Sequence, residues 1–91
     1  MNYDQKLCEL QADVEALVLK ELCLPENCMT LDGDHVINNR KDYVANAAER
    51  TEFKYLVKER LLSALSDGEL LAQYNIVNEG VVEHYLAYLD M

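Results

Sequence analysis

Between Tyr3 and Leu22 the apolar residues return at steps of four and three. Tyr3, Leu7, Leu10, Val14 and Leu17 lie in one line, and Val18 and Leu22 widen it on one side. A repeat near 3.6 residues with charged residues between is the pattern of an amphipathic helix. The spacing predicts a helix over residues 3–22, with Asn2 as its N-cap and Asp4 well placed near the positive end of the helix dipole. Pro25 sets the stop, because the residue before a proline is pushed out of the α region.

A second stripe answers the first. No Gly or Pro occurs from Asn39 to Ser66, and Phe53, Leu56, Val57, Leu61, Ala64 and Leu65 recur at helical spacing. The helix formers Ala45, Ala47 and Ala48 extend the helical reading toward Arg40. A single helix over 40–66 would be about 40 Å long, which is long for a small globule, so a break near Thr51 is expected, with Thr51 capping a fresh start ahead of Glu52. The stripes of 3–22 and 52–66 are expected to pack on each other.

The segment 25–39 differs in character. It holds the only proline, one of the three glycines and several asparagines. Around Asp32-Gly33, the runs Met29-Thr30-Leu31 and His35-Val36-Ile37 allow a short hairpin, since Asp-Gly suits a type I′ turn. The runs are short and an isolated ribbon is marginal, so a loop packed by Met29, Leu31, Val36 and Ile37 fits equally well. Further on, Ser66-Asp67-Gly68 reads as a stop: Gly68 can close one helix in the left-handed conformation, or Ser66 or Asp67 can cap the next. A short helix over 69–74, a turn over 75–80 with Asn78 as the next N-cap, and a last helix carrying Val81, Val82, Tyr85, Leu86 and Leu89 complete the chain.

Ninety-one residues make one domain, 1–91, and bury only about 60–65% of their unfolded surface, so the stability margin is thin. The 51% hydrophobic content supports a core and is too high for a disordered chain. The expected fold is mainly α: a small helical bundle of three to five helices, with a short β-hairpin near residues 29–37 as one of the two readings of that segment.

Charge narrows the partner. The chain carries 17 acidic and 8 basic side chains, a formal charge of −9. Residues 1–39 hold eight acids and two bases, residues 40–60 four acids and six bases, and residues 61–91 five acids and no base. Phosphate binding needs clustered Lys and Arg, so direct nucleic-acid binding is not expected outside Arg40 to Arg60. A protein with a basic surface is the natural complement of the two acidic ends. No apolar run spans a membrane and the N-terminus lacks signal-peptide character. Three cysteines without framework spacing read as free thiols in a reducing cytoplasm.

The motifs that carry chemistry are missing. Cys23 and Cys28, with His35 and Cys8, approximate a loose zinc set, but Pro25 sits between the pair and no second Cys pair supports it. Asp32-Gly33-Asp34 starts like a calcium loop, then places Val36, Ile37 and Tyr43 where ligands, a glycine and a glutamate belong. Neither His35 nor His84 accompanies a nucleophile motif, and there is no phosphate-binding glycine loop. No catalytic residue, cofactor or metal is therefore expected.

What remains is a skewed aromatic set, six Tyr against one Phe and no Trp. Tyr offers an apolar face and a polar tip, which suits protein interfaces. Tyr85 falls on the apolar stripe and reads as core. Tyr74, His84 and Tyr88, with Glu69 and Glu83, are the expected partner-binding residues. The expected function is a non-catalytic protein-binding module, a small acidic regulator or inhibitor. Two alternatives stand beside it: an acidic inhibitor that mimics nucleic acid in a basic groove, of the anti-defence type, and a structural protein that homo-oligomerises through the Leu stripe of 7–22.

Overall fold

The structure is a computed structural model that describes residues 2–76 and 79–89. Its order is α1 (Asn2–Glu21), β1 (Met29–Asp32), β2 (His35–Asn38), α2 (Ala47–Leu65), α3 (Gly68–Gln73) and α4 (Glu79–Tyr88). The fold is mainly α, with four helices and one antiparallel hairpin among the described residues, as the apolar periodicities imply.

Helix α1 takes in Asn2 rather than being capped by it. It closes at Cys23, ahead of Pro25. Cys23 has a φ of 58°, the Leu24 N–H donates to the Leu19 carbonyl (2.9 Å) and the Cys23 N–H to that of Lys20 (3.1 Å). These two bonds satisfy carbonyls that the helix end leaves open, so the stop is a Schellman closure and Pro25 only follows it. The chain then turns through Pro25–Cys28, with Asn27 at φ 58° and the Cys28 N–H donating to the Pro25 carbonyl.

The hairpin exists. Its register pairs Met29 with Asn38, Thr30 with Ile37, Leu31 with Val36 and Asp32 with His35. The turn residues are therefore Gly33 and Asp34, not Asp32 and Gly33. Only the first has a positive φ (61°), which is the II′ arrangement rather than the expected I′. Alternation puts Met29 and Leu31 in the core and leaves Thr30 and Asp32 outside it. The ribbon is held by its neighbours: Asp34 at the tip pairs with Lys54 (2.9 Å) and Lys58 of α2.

Residues 39–46 are irregular, and α2 begins neither near Arg40 nor at Thr51. Asn46 is the cap. Its Oδ1 accepts from the Glu49 N–H (2.8 Å), while Glu49 Oε1 accepts from the Asn46 N–H (3.0 Å). This reciprocal box satisfies two orphan donors at once, and Thr51 lies inside the helix. The other Glu49 oxygen accepts from the Tyr43 hydroxyl (2.6 Å), which anchors the irregular stretch to the helix start. That bond pushes the Tyr43 phenol up to about 12 and holds the Glu49 carboxyl below its usual value.

At the far end of α2, Asp67 caps α3 by accepting from the Glu69 and Leu70 N–H groups (3.0 and 3.3 Å). Gly68 is thus the first residue of α3, not a left-handed closure. Asn75, at φ 58°, closes α3, with the Ile76 N–H donating to the Leu71 carbonyl (2.8 Å). Asn78 lies outside the described residues, and α4 starts at Glu79.

One core joins these elements. Leu7, Leu10, Val14 and Val18 of α1 meet Phe53, Val57 and Leu61 of α2, with Met29 and Leu31 of β1 and Leu89 after α4 closing the cluster. The expected α1–α2 pairing of Leu/Val stripes holds, with one correction. Leu17 is 60% exposed, while Leu19 is buried at 3%. The buried face of α1 is turned toward Gln11, Glu15 and Leu19, because α1 packs against both α2 and β1.

Candidate protein-interaction site

The turn of α1 toward the hairpin buries two polar side chains. Gln11 and Glu15, four residues apart, are each only 8% exposed. Their partners explain why. In the hairpin, alternate residues direct their backbone groups away from the other strand. Leu31 is such a residue, so its N–H and C=O point outward from β1, toward α1. Its N–H donates to Glu15 Oε2 (2.8 Å), and its carbonyl accepts from Gln11 Nε2 (2.6 Å). Gln11 Nε2 also donates to Glu15 Oε2 (2.9 Å). Two side chains of α1 thus act as a missing strand on the edge of β1. An unpaired backbone group there would cost about 1–3 kcal/mol.

Helix α4 completes the network, since the Tyr85 hydroxyl donates to Gln11 Oε1. Burial of Tyr85 raises its pKa well above the usual phenol value. Burial is also the largest influence on Glu15 and raises its pKa, and the bonds from Gln11 and Leu31 pull it part of the way back.

Along this seam runs an open groove of about 690 Å³, between α1, β1 and α4. Its α1 wall steps through Cys8, Ala12, Ala16 and Leu19, a run of about 16 Å at the helical rise. Met29 and Ile37 of the hairpin and Tyr85 and Tyr88 of α4 form the facing side. The Tyr85 and Tyr88 rings are stacked, with centroids 5.9 Å apart at 26°. Among the described residues the charged side chains of the lining are Glu15 and Asp32, with no Lys or Arg.

Four of the six bases of the positive middle segment are ion-paired, and among the described residues none of the six lines the groove. Lys54 and Lys58 hold Asp34, Arg60 pairs with Glu21 (2.6 Å), and Arg40 pairs with Asp42 (2.6 Å). The two lysines hold the Asp34 carboxyl down at about 2, Lys58 having the larger effect.

The five residues singled out from sequence do not form one patch. His84 and Tyr88 line the groove. Tyr88 is half exposed, its hydroxyl donates to Asp32, and its ring lies over the turn at Gly33. Tyr74 is partly buried and its hydroxyl donates to Asp13 of α1. Glu69, in the first turn of α3, and Glu83, on α4, are exposed and lie outside the groove. The surplus of tyrosine has a structural use: Tyr43, Tyr74, Tyr85 and Tyr88 each hydrogen-bond an acidic or amide side chain. The groove residues that sequence reasoning passed over are Gln11, Glu15, Ala12, Ala16 and Asp32. A usable signal was there: Gln11 and Glu15 fall at i and i+4 between the apolar residues of α1, on the side that leads to Leu19.

Cys8 and Cys23 are exposed and Cys28 is buried, all as free thiols. Among the described residues no three His, Cys, Asp or Glu side chains gather into a metal-binding group, and no helix is long and apolar enough to cross a membrane. No protein-family model, no curated protein and no solved structure matches the chain.

Proposed function

We propose that this chain is a non-catalytic protein-binding module, a small acidic regulator or inhibitor, and that its partner docks in the groove between α1, β1 and α4. The observation that carries this reading is the composition of the groove: apolar and aromatic walls, with carboxylates as the only formally charged side chains among the described residues that line it. Apolar walls supply affinity by removing surface from water, and charge of one sign selects the partner. The complement is a protein segment with apolar residues beside a basic one. The groove is only partly enclosed, and its α1 wall runs about 16 Å, long enough for a segment of extended chain. The network at Gln11, Glu15 and Tyr85 keeps the walls in place without a bound partner, so little ordering cost falls on binding.

The test is a binding screen against peptide pools of matched apolar content that differ in charge. Retention of the basic pool, with the acidic pool unbound, supports the reading. Equal retention of both, or of neither, contradicts it.

A further inference from the structure

We infer that Glu15 is the anchor that sets the specificity of the groove, receiving the guanidinium of one arginine side chain from an extended segment of the partner protein. This rests on the groove being the partner's docking site, and adds which chemical group is read and by which atom.

Both hydrogen bonds that Glu15 receives arrive at Oε2, one from Gln11 and one from Leu31. Among the described residues Oε1 has no hydrogen-bond or ion-pair partner, and it is not one of the fully buried unpartnered atoms. It is the atom left to meet an occupant of the groove that Glu15 lines. The carboxylate is held in place by β1, so an incoming donor meets a fixed acceptor. A buried carboxylate accepting from a charged donor makes the stronger class of hydrogen bond.

Arginine fits this site better than lysine. A guanidinium is less strongly hydrated than an ammonium, so entering a site walled by Leu19, Met29 and Ala16 costs it less. It also stacks on aromatic faces, and the Tyr85–Tyr88 pair stands on the same groove. The aliphatic stem of arginine suits the apolar wall of α1. The roughly 16 Å run along α1 matches about five residues of extended chain at strand rise. Asp32, the other carboxylate of the groove, is exposed to water and already accepts from Tyr88, so its charge is screened.

The experiment uses the full chain and an array of seven-residue peptides with arginine at the centre and varied neighbours, beside the same array with citrulline, the neutral analogue of arginine. Native protein is expected to favour the arginine member of a pair by about ten- to a hundredfold. In E15Q, with its fold checked by circular dichroism, the ratio is expected to fall to near one while citrulline affinity is unchanged. In D32N the ratio is expected to persist. A16W, which fills the groove from an exposed position, is expected to abolish binding of both arrays.

A ratio that survives in E15Q, or that is lost in D32N and kept in E15Q, overturns the anchor but leaves the groove as docking site. Binding that survives A16W overturns the groove itself. Free arginine binding as tightly as the peptides, or a dimer in sedimentation whose formation occludes the groove, gives the site a different occupant and overturns the proposal.

If E15Q does not fold, the native protein decides. The titratable groups that line the groove with Glu15 are Cys8, on α1 itself, Asp32 of β1, and His84, Tyr85 and Tyr88 of α4. In an H84N/D32N background, which removes the imidazole and the second carboxyl of the groove, the arginine-to-citrulline ratio is expected to fall toward one on acidification as Glu15 takes up its proton. A ratio that stays constant until the protein unfolds overturns the anchor.

Discussion

Replacing Glu15 separates its hydrogen-bonding role from its charge. In Glu15→Ala the N–H of Leu31, a residue only 2% exposed, loses its acceptor, and one donor bond of Gln11 goes with it. An unsatisfied buried donor costs about 1–3 kcal/mol, and the lost packing of the side-chain stem brings the total to about 2–4 kcal/mol. Against a total stability of about 5–14 kcal/mol for a chain of this size, that is a large fraction. Glu15→Gln keeps an amide oxygen for the Leu31 N–H and is expected to cost less than about 1 kcal/mol.

Urea unfolding followed by circular dichroism measures both. The alanine variant is expected to lower the midpoint by about 1–3 M, and the glutamine variant by far less. The two variants also differ from native protein in their pH dependence. Burial raises the Glu15 pKa, so the folded state holds this proton more tightly than the unfolded chain does. The Glu15 contribution to native stability therefore declines as pH rises from the ordinary carboxyl range through the raised folded value, and is level above it. Glu15→Gln removes that decline. An alanine variant as stable as native protein would refute the edge-capping role of Glu15. A glutamine variant as unstable as the alanine one would show that charge, not acceptor geometry, is what Leu31 requires.

Other perturbations have equally definite outcomes. Gly33→Ala is expected to destabilise by about 1–2 kcal/mol in thermal unfolding, because the residue sits at φ 61° and an added Cβ would lie 3.4 Å from the Tyr88 carbonyl oxygen. Gly68→Ala, at a helical first position with open space around it, is expected to stabilise by about 0.4–1 kcal/mol, and equal effects at the two glycines would contradict the turn geometry. The side-chain carboxyl of Asp34 is expected to titrate near 2 by NMR and to move up toward its ordinary value in Lys58→Met. Since the folded pKa is depressed, the ion pairs add stability above the unfolded carboxyl range, and that stability is lost as pH falls through the folded value. Phe53→Ala empties the centre of the core and is expected to cost about 3–5 kcal/mol, enough to leave a large unfolded fraction by calorimetry.

The helices were legible where packing follows a single period. The stripes of α1 and α2 and the buried Tyr85 could be read from spacing alone, because each helix shows one face to one core. What spacing hides is the second neighbour. Leu17 lies on the line through Leu10 and Val14, yet is exposed because α1 rolls toward the hairpin. Glu15 and Gln11 look like solvent-facing residues in a list of polar positions. They become buried only because an outward-facing strand residue, Leu31, needs a donor and an acceptor.

Element ends failed for a different reason. The start of α2 is set by Asn46-Ala47-Ala48-Glu49, which forms a reciprocal cap inside an Ala-rich run whose helix propensity carries no mark of where the helix begins. Cys23 gave no warning of a left-handed helix closure, since its side chain carries no preference for it. Of the groove, only His84 and Tyr88 were legible: its walls come from three elements whose mutual placement the sequence does not encode locally.

The docking site is tested most directly by an ¹⁵N NMR titration of the native chain with the arginine-centred peptides. Expected are amide shifts concentrated at residues 8–19, 29–32 and 84–88, reduced when citrulline replaces arginine. Shifts centred instead on the outer face of α2 around Tyr55 and Leu62, or shifts indifferent to the charge of the peptide, would contradict the groove as the docking site.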